Sequence, residues 1–203
     1  LSSNKLNGAI PSTIGDTNVT YLDLAMNMLQ GSLPSEVRRL TTLEDLILNG
    51  NHLEGSIMDN FFSEMSNLKS VYLYDNHFND TFPSSIGSAV NLTVLDVHSN
   101  HFSGVILENV KGLGKLEYLD VQYNFFQGAF PSDLSVWGSI QQLIVANNNF
   151  TGALPSDITS LTGLRVLNVM DNDFSGELPQ NIGSLTSLTD LSLASNSFNG
   201  NLP

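Results

Sequence analysis

Apolar residues recur along this 203-residue chain with a single period of about 24. Nine asparagines mark it: Asn4, Asn27, Asn51, Asn76, Asn100, Asn124, Asn148, Asn172 and Asn196, spaced 23, 24 and 25 residues apart and then 24 throughout. Five and three residues before each marker from Asn27 on lie pairs such as Leu46/Leu48, Leu95/Val97 and Leu167/Val169. Another apolar residue stands eight before it, and Leu or Phe stands two after it, from Leu6 to Phe198. Alternation with period two predicts a short strand with one buried face. A single 24-residue coil cannot bury its own apolar side chains, so the pattern predicts stacked coils sharing one continuous core.

The other repeated residues have physical roles in such a coil. A carboxamide offers two donors and an acceptor, so a buried Asn is able to bridge backbone groups of its own and adjacent coils. Gly follows four residues after the marker in eight of nine coils, with Asp80 the exception, and supplies backbone freedom at a tight bend. Pro follows at plus seven in seven of nine, with Met58 and Leu107 the exceptions, and these seven are every proline in the chain. Proline stiffens the return path and ends hydrogen bonding there.

The pattern L-x-x-L-x-L-x-x-N-x-F-x-G-x-[IL]-P, as in Leu164 to Pro179, resembles the plant-type leucine-rich repeat over the whole chain. The resemblance implies an α/β, leucine-rich-repeat solenoid curved into a horseshoe or superhelix. A parallel sheet would line the concave side, with 3₁₀ turns and loops on the convex side. Residues 1–203 read as one domain of about eight to nine repeats without caps. Because the chain opens at Leu1-Ser2-Ser3-Asn4 and stops at Leu202-Pro203, an internal fragment of a longer protein is expected. The cysteine-paired caps usual in the family would then lie outside it.

Composition narrows the functional classes. Lys and Arg number 7 against 20 Asp and Glu, a net charge of −13. That field repels nucleic acid and anionic membranes. Membrane association is expected only through segments outside these residues, because no apolar run approaches the roughly 18 residues of a spanning helix. The absence of cysteine removes disulfides, thiolate catalysis and Cys-ligated zinc. No nucleophile elbow, phosphate loop or dinucleotide fingerprint occurs, so no catalytic residue and no cofactor is expected.

Candidate chemistry lies at the variable positions of the strand segment, at minus seven, six, four, two and one from each marker. All five tyrosines fall there. Tyrosine is enriched at binding surfaces, and it also suits a half-exposed strand. The densest set, and the candidate ligand-binding patch, is Tyr72 and Tyr74, then Asp96 and His98, then Tyr118, Asp120, Gln122 and Tyr123. Asp96 and Asp120 take the same slot on adjacent coils, about 5 Å apart, where like charges raise one pKa unless a cation intervenes. A solvated acidic face, a docking point for a basic or sugar-like ligand, and a catalytic carboxylate pair are the competing readings. An open sheet with no enclosing pocket disfavours the last.

His52, His77 and His101 each follow a marker and are expected in exposed turns. No second His or Cys lies at metal-ligand spacing from His98, so no metal is expected. Trp137 reads as core, and Phe61-Phe62 as the filling of a bulged convex loop. Four N-x-[ST] sequons, at Asn18, Asn79, Asn91 and Asn149, permit glycosylation in a secretory compartment, although this composition yields about that number by chance. Asn18 and Asn91, nine residues before a marker, are expected to be the best placed.

Resemblance to plant receptor-like kinases and receptor-like proteins implies a non-catalytic recognition module, secreted or on the extracellular face of the plasma membrane. Its ligand would be a peptide, glycan or protein, with a co-receptor as a further partner. The alternative is a soluble inhibitor of cell-wall-degrading enzymes, since polygalacturonase-inhibiting proteins share this repeat. An ice-binding surface would instead show a flat, regular Thr or Asn array, whereas the variable positions here are chemically mixed.

Overall fold

The structure is a computed structural model that describes all 203 residues. Seventeen short strands, β1 to β17 in chain order, form two parallel sheets. The even-numbered strands form an eight-stranded sheet: β2 Tyr21–Asp23, β4 Asp45–Ile47, β6 Ser70–Tyr72, β8 Val94–Asp96, β10 Tyr118–Asp120, β12 Gln142–Ile144, β14 Val166–Asn168 and β16 Asp190–Ser192. The odd-numbered ones form a nine-stranded sheet: β1 Asn7–Gly8, β3 Met28–Gly31, β5 His52–Gly55, β7 His77–Thr81, β9 His101–Gly104, β11 Phe125–Gly128, β13 Asn149–Gly152, β15 Asp173–Glu177 and β17 Ser197–Asn199. Strands in each sheet follow the order of the coils, as stacking requires. Register in the eight-stranded sheet keeps equivalent positions side by side: Leu95 pairs with Leu119 and Asp96 with Asp120.

The nine-stranded sheet is the main departure from expectation, which had only turns and loops opposite the concave sheet. Its cause lies in the asparagines. Asn124 accepts a hydrogen bond at Oδ1 from the Phe102 amide of the preceding coil, 2.9 Å away. Its Nδ2 donates to the Val97 carbonyl of that coil at 3.0 Å and to Val121 and Gln122 of its own at 3.2 Å. The same set recurs from Asn27 through Asn196. Each carboxamide thereby pins the segment after the preceding marker in extended form, where it pairs with its neighbours. His52, His77 and His101 begin β5, β7 and β9 and are exposed on strands, not in turns. Their rings form a row, with His52 and His77 stacked at 5.9 Å.

The plus-four position is left-handed in every coil, with φ between +68° and +96°. Asp80, where Gly is missing, takes φ +68° like the rest. The residue before each marker is also left-handed, at φ +50° to +65°, and eight of these nine are not glycine. A left-handed non-glycine costs roughly 1–2 kcal/mol. The marker side chain offsets this by reaching back to the carbonyls two and three residues earlier and holding the bend closed. No glycine enrichment betrays that bend in the sequence, because the energy comes from the partner Asn.

Proline sets the convex side. The six coils that follow Pro11, Pro34, Pro83, Pro131, Pro155 and Pro179 contain a 3₁₀ helix, such as Ser35–Arg39 or Ser156–Ser160. The coil with Leu107 at that position forms instead a short α-helix, α1, Ile106–Val110. The coil with Met58 there forms only turns, in which Phe61 and Phe62 are buried and pack edge-on at 5.1 Å. One apolar cluster runs from Ile10 to Leu185 without a break and includes Trp137, whose Nε1 donates to the Val110 carbonyl at 3.2 Å. No helix is long and apolar enough to cross a membrane.

Candidate functional site

Strands β6, β8 and β10 and the residues just after them bring seven of the eight predicted site residues together. Tyr74 and His98, two residues beyond the strand ends, stack face to face at 4.5 Å and 8°. Tyr72 meets Tyr74 edge-on at 6.4 Å. Tyr72, Tyr74, Val94, Asp96, His98 and Tyr118 line an open depression of about 350 Å³. Val94 was missed, since an aliphatic residue at a variable strand position carries no chemical signal. Tyr123 does not join the lining. It holds the left-handed bend before Asn124 and is 56% exposed.

The acidic pair is not a solvated face, which corrects that expectation. Asp96 is 4% exposed and Asp120 2%. Each is covered by large neighbours on the same sheet face. His98 Nδ1 lies 2.6 Å from Asp96 Oδ1 and 3.9 Å from Asp120 Oδ2. Asp120 accepts from the Gln122 backbone amide at 3.0 Å, the Gln122 side-chain amide at 3.2 Å and the Tyr118 hydroxyl at 3.3 Å. The imidazole therefore stands where the sequence reading placed a hypothetical cation. The 24-residue period placed Asp96 beside Asp120, but not the imidazole against both, since that depends on side-chain rotamers and burial.

Burial and charge shift the protons. Burial, and then the charge of Asp96, push the Asp120 carboxyl up to about 6, against the pull of the Gln122 amide, His98 and the Tyr118 hydroxyl. Burial alone would lower His98, but its bond to Asp96 and the charges of Asp96, Asp120 and Asp75 raise it above the usual imidazole value. The hydroxyls of Tyr72, Tyr74 and Tyr118 are pushed up by burial and nearby carboxylates, so they remain protonated donors.

Both Asp120 and His98 hold a proton more tightly folded than unfolded, so the folded protein takes up protons and gains stability as pH falls. For Asp120 the gain accrues from its folded value of about 6 down to the ordinary carboxylate range. The His98 contribution is complete below the ordinary imidazole value and is lost as pH rises through its raised folded value. Thermal unfolding in buffer containing a chelator, so that protons alone compete for the cluster, should find the wild type about 1–2 kcal/mol more stable at pH 5 than at pH 8, relative to Asp120→Asn. Parallel pH curves for the two proteins would remove the cluster as the source.

The sequons separate by environment. Asn18 is exposed in a loop, and Asn79 and Asn149 are exposed on β7 and β13. Asn91 is half-buried; its Nδ2 donates to the Ser66 carbonyl at 3.0 Å and its Oδ1 accepts from Lys115 Nζ at 2.6 Å.

Comparison with known proteins matches this geometry. Receptor-like protein 31 of Arabidopsis thaliana is 39% identical over 93 residues, covering 45% of this chain and 11% of the relative. Among solved structures, the plant peptide hormone receptor RGFR1 in complex with RGF2 superposes with a TM-score of 0.93 at 31% identity, over 100% of this chain and 32% of that one. A plant ice-binding protein superposes at 0.80 and 27% identity, over 98% of this chain and 64% of that one. The chain thus spans about a tenth of the curated relative's length and a third of the receptor's. The Leucine Rich Repeat family model matches residues 18–40, 67–89, 91–113, 115–137, 139–161 and 163–185. With matches over most of its length and the stacked coils that such repeats build, this chain belongs to the leucine-rich-repeat family.

Proposed function

We propose that this chain is an extracellular, non-catalytic recognition module of a plant receptor-like protein or receptor-like kinase, and that it takes a peptide or protein ligand on its eight-stranded, concave sheet. The clustering of Tyr72, Tyr74, His98 and Tyr118 around one depression carries this reading. Aromatic side chains with polar tips supply large contact area at little entropic cost, as at binding hot spots. The likeness to a peptide hormone receptor solved with its ligand supports the same ligand class. Asp96 lines the depression with these rings and holds the imidazole, while Asp120 holds the Tyr118 hydroxyl and the Gln122 amides. The exposed sequons Asn18, Asn79 and Asn149 would carry glycans away from the depression. A regular ice-binding array is disfavoured by the mixture of rings, carboxylates and aliphatic residues on this sheet.

The test is selection of binders from a synthetic peptide library on the immobilised protein. Tyr74→Ala and Tyr118→Phe should each weaken the selected peptides, Tyr74→Ala by about tenfold or more. Equal retention by wild type and Tyr74→Ala, with both variants folded by circular dichroism, would place recognition elsewhere.

A further inference from the structure

We propose that Asp96, His98 and Asp120 form a binding site for a transition-metal dication of the zinc type, with its open position facing the depression. The donor atoms of the three side chains lie within 4.8 Å of one another. Two hard oxygen donors and one imidazole nitrogen suit zinc, which binds three protein ligands and leaves a fourth position for water or a ligand atom in its open sites. Calcium needs six to eight oxygens and magnesium a near-ideal octahedron of them, which this set does not supply.

The three donor atoms, all within 4.8 Å of one another, close further on a bound ion. Zinc bonds of about 2.0–2.2 Å place neighbouring ligand atoms about 3.4 Å apart. His98 Nδ1 lies on either side of that value, at 2.6 Å from one carboxylate and 3.9 Å from the other. Rotation of the imidazole, with the metal replacing its Nδ1 proton, evens the two edges.

Three further features point to an ion. The side chains of Asp96 and Asp120 are only 6% and 3% exposed, which favours a small ion over a bulky guanidinium as their counter-charge. Both hydrogen bonds to Asp96 fall on Oδ1, and its other oxygen, which has no protein donor, is open to solvent, as no fully buried side-chain polar atom lacks a partner. Asp120 already has the outer contacts that orient a metal-bound carboxylate, from Gln122 and Tyr118, and the Tyr74 ring fixes the imidazole plane. Asp96 and Asp120 take the same slot on adjacent coils and His98 stands two residues beyond Asp96, so no loop has to order on binding.

Zinc titration of the 203-residue protein by calorimetry tests the site. His52, His77 and His101 are replaced by Gln first, because exposed imidazoles also take up zinc. In that background one zinc per chain is expected, with release of a proton. His98→Ala and Asp120→Asn should each weaken binding by more than tenfold, and Gln122→Ala by about tenfold. Cobalt(II) should give the visible absorption of a four-coordinate site, lost in His98→Ala. Circular dichroism melts establish that each variant is folded. Binding that survives His98→Ala and Asp120→Asn, or that disappears once the three surface histidines are replaced, overturns the proposal. Peptide selection with Tyr74→Ala is a separate measurement, so the two readings fail independently.

Discussion

Replacing Asn124 by Ala is expected to destabilise the protein by about 2–4 kcal/mol, as is the same change at the other buried markers. The carboxamide is buried and serves four backbone groups: the Phe102 amide and the carbonyls of Val97, Val121 and Gln122. Alanine leaves the Phe102 amide without its acceptor, a buried orphan costing about 1–3 kcal/mol. It also takes one donor from each carbonyl, Val97 keeping Asn100 Nδ2, Val121 keeping Asn148 Nδ2 and Gln122 the Ser99 amide. The left-handed bend at Tyr123, which the carboxamide holds shut, also loses its support. Asn124→Asp separates the two halves of the role. It keeps the acceptor for Phe102 but turns a carboxylate toward three carbonyls, so it should be as damaging as Ala at neutral pH. Part of the loss should return as the acid is protonated. Urea unfolding measures the loss, and hydrogen exchange should localise it to the two coils that share the rung. A loss below about 1 kcal/mol would mean that the ladder decorates the fold instead of holding it.

Phe102→Ala is expected to cost about 3–5 kcal/mol for a different reason. Its ring is fully buried in a column of equivalent rings, stacked 5.7 Å from Phe78 and 6.3 Å from Phe126, with Phe82 packed edge-on at 5.0 Å. Removing it empties space that no neighbour fills without breaking the stack above and below. Phe102→Leu is the informative control, since Leu6, Leu29 and Leu53 occupy this slot in the first three coils. It should cost about 1 kcal/mol, in line with a tolerated change of shape. Equal losses for Ala and Leu would show that the ring stacking, and not the filled volume, stabilises the column.

The two variants probe neighbouring atoms of one rung. The Phe102 amide is the donor to Asn124 Oδ1, so their effects should not add. Together they test whether the polar ladder and the apolar column are one cooperative unit, as nearest-neighbour coupling between coils requires.

The sequence by itself determined the repeat, the strand of each coil, the continuous core and the role of each marker Asn, because all of these rest on residues that must recur. Leu95 and Leu119, or Phe102 and Phe126, meet their counterparts wherever identical coils stack, so period alone places them. It also brought the tyrosines and Asp96 to one face. Only the tertiary structure decided what one coil does to the next. The nine-stranded sheet arises because an Asn side chain of one coil pins the backbone of the previous one in extended form; the bridge follows from the repeat, the second sheet it builds does not. The left-handed residues before each marker are held by that same side chain, so Tyr123 needs no glycine. The fate of the acidic pair was decided in the same way. Asp96 and Asp120 read as solvated charges until the rings of Tyr72 and Tyr118 cover them and His98 moves between them. Burial and donor geometry depend on which side chains share a space, and spacing along the chain does not encode that.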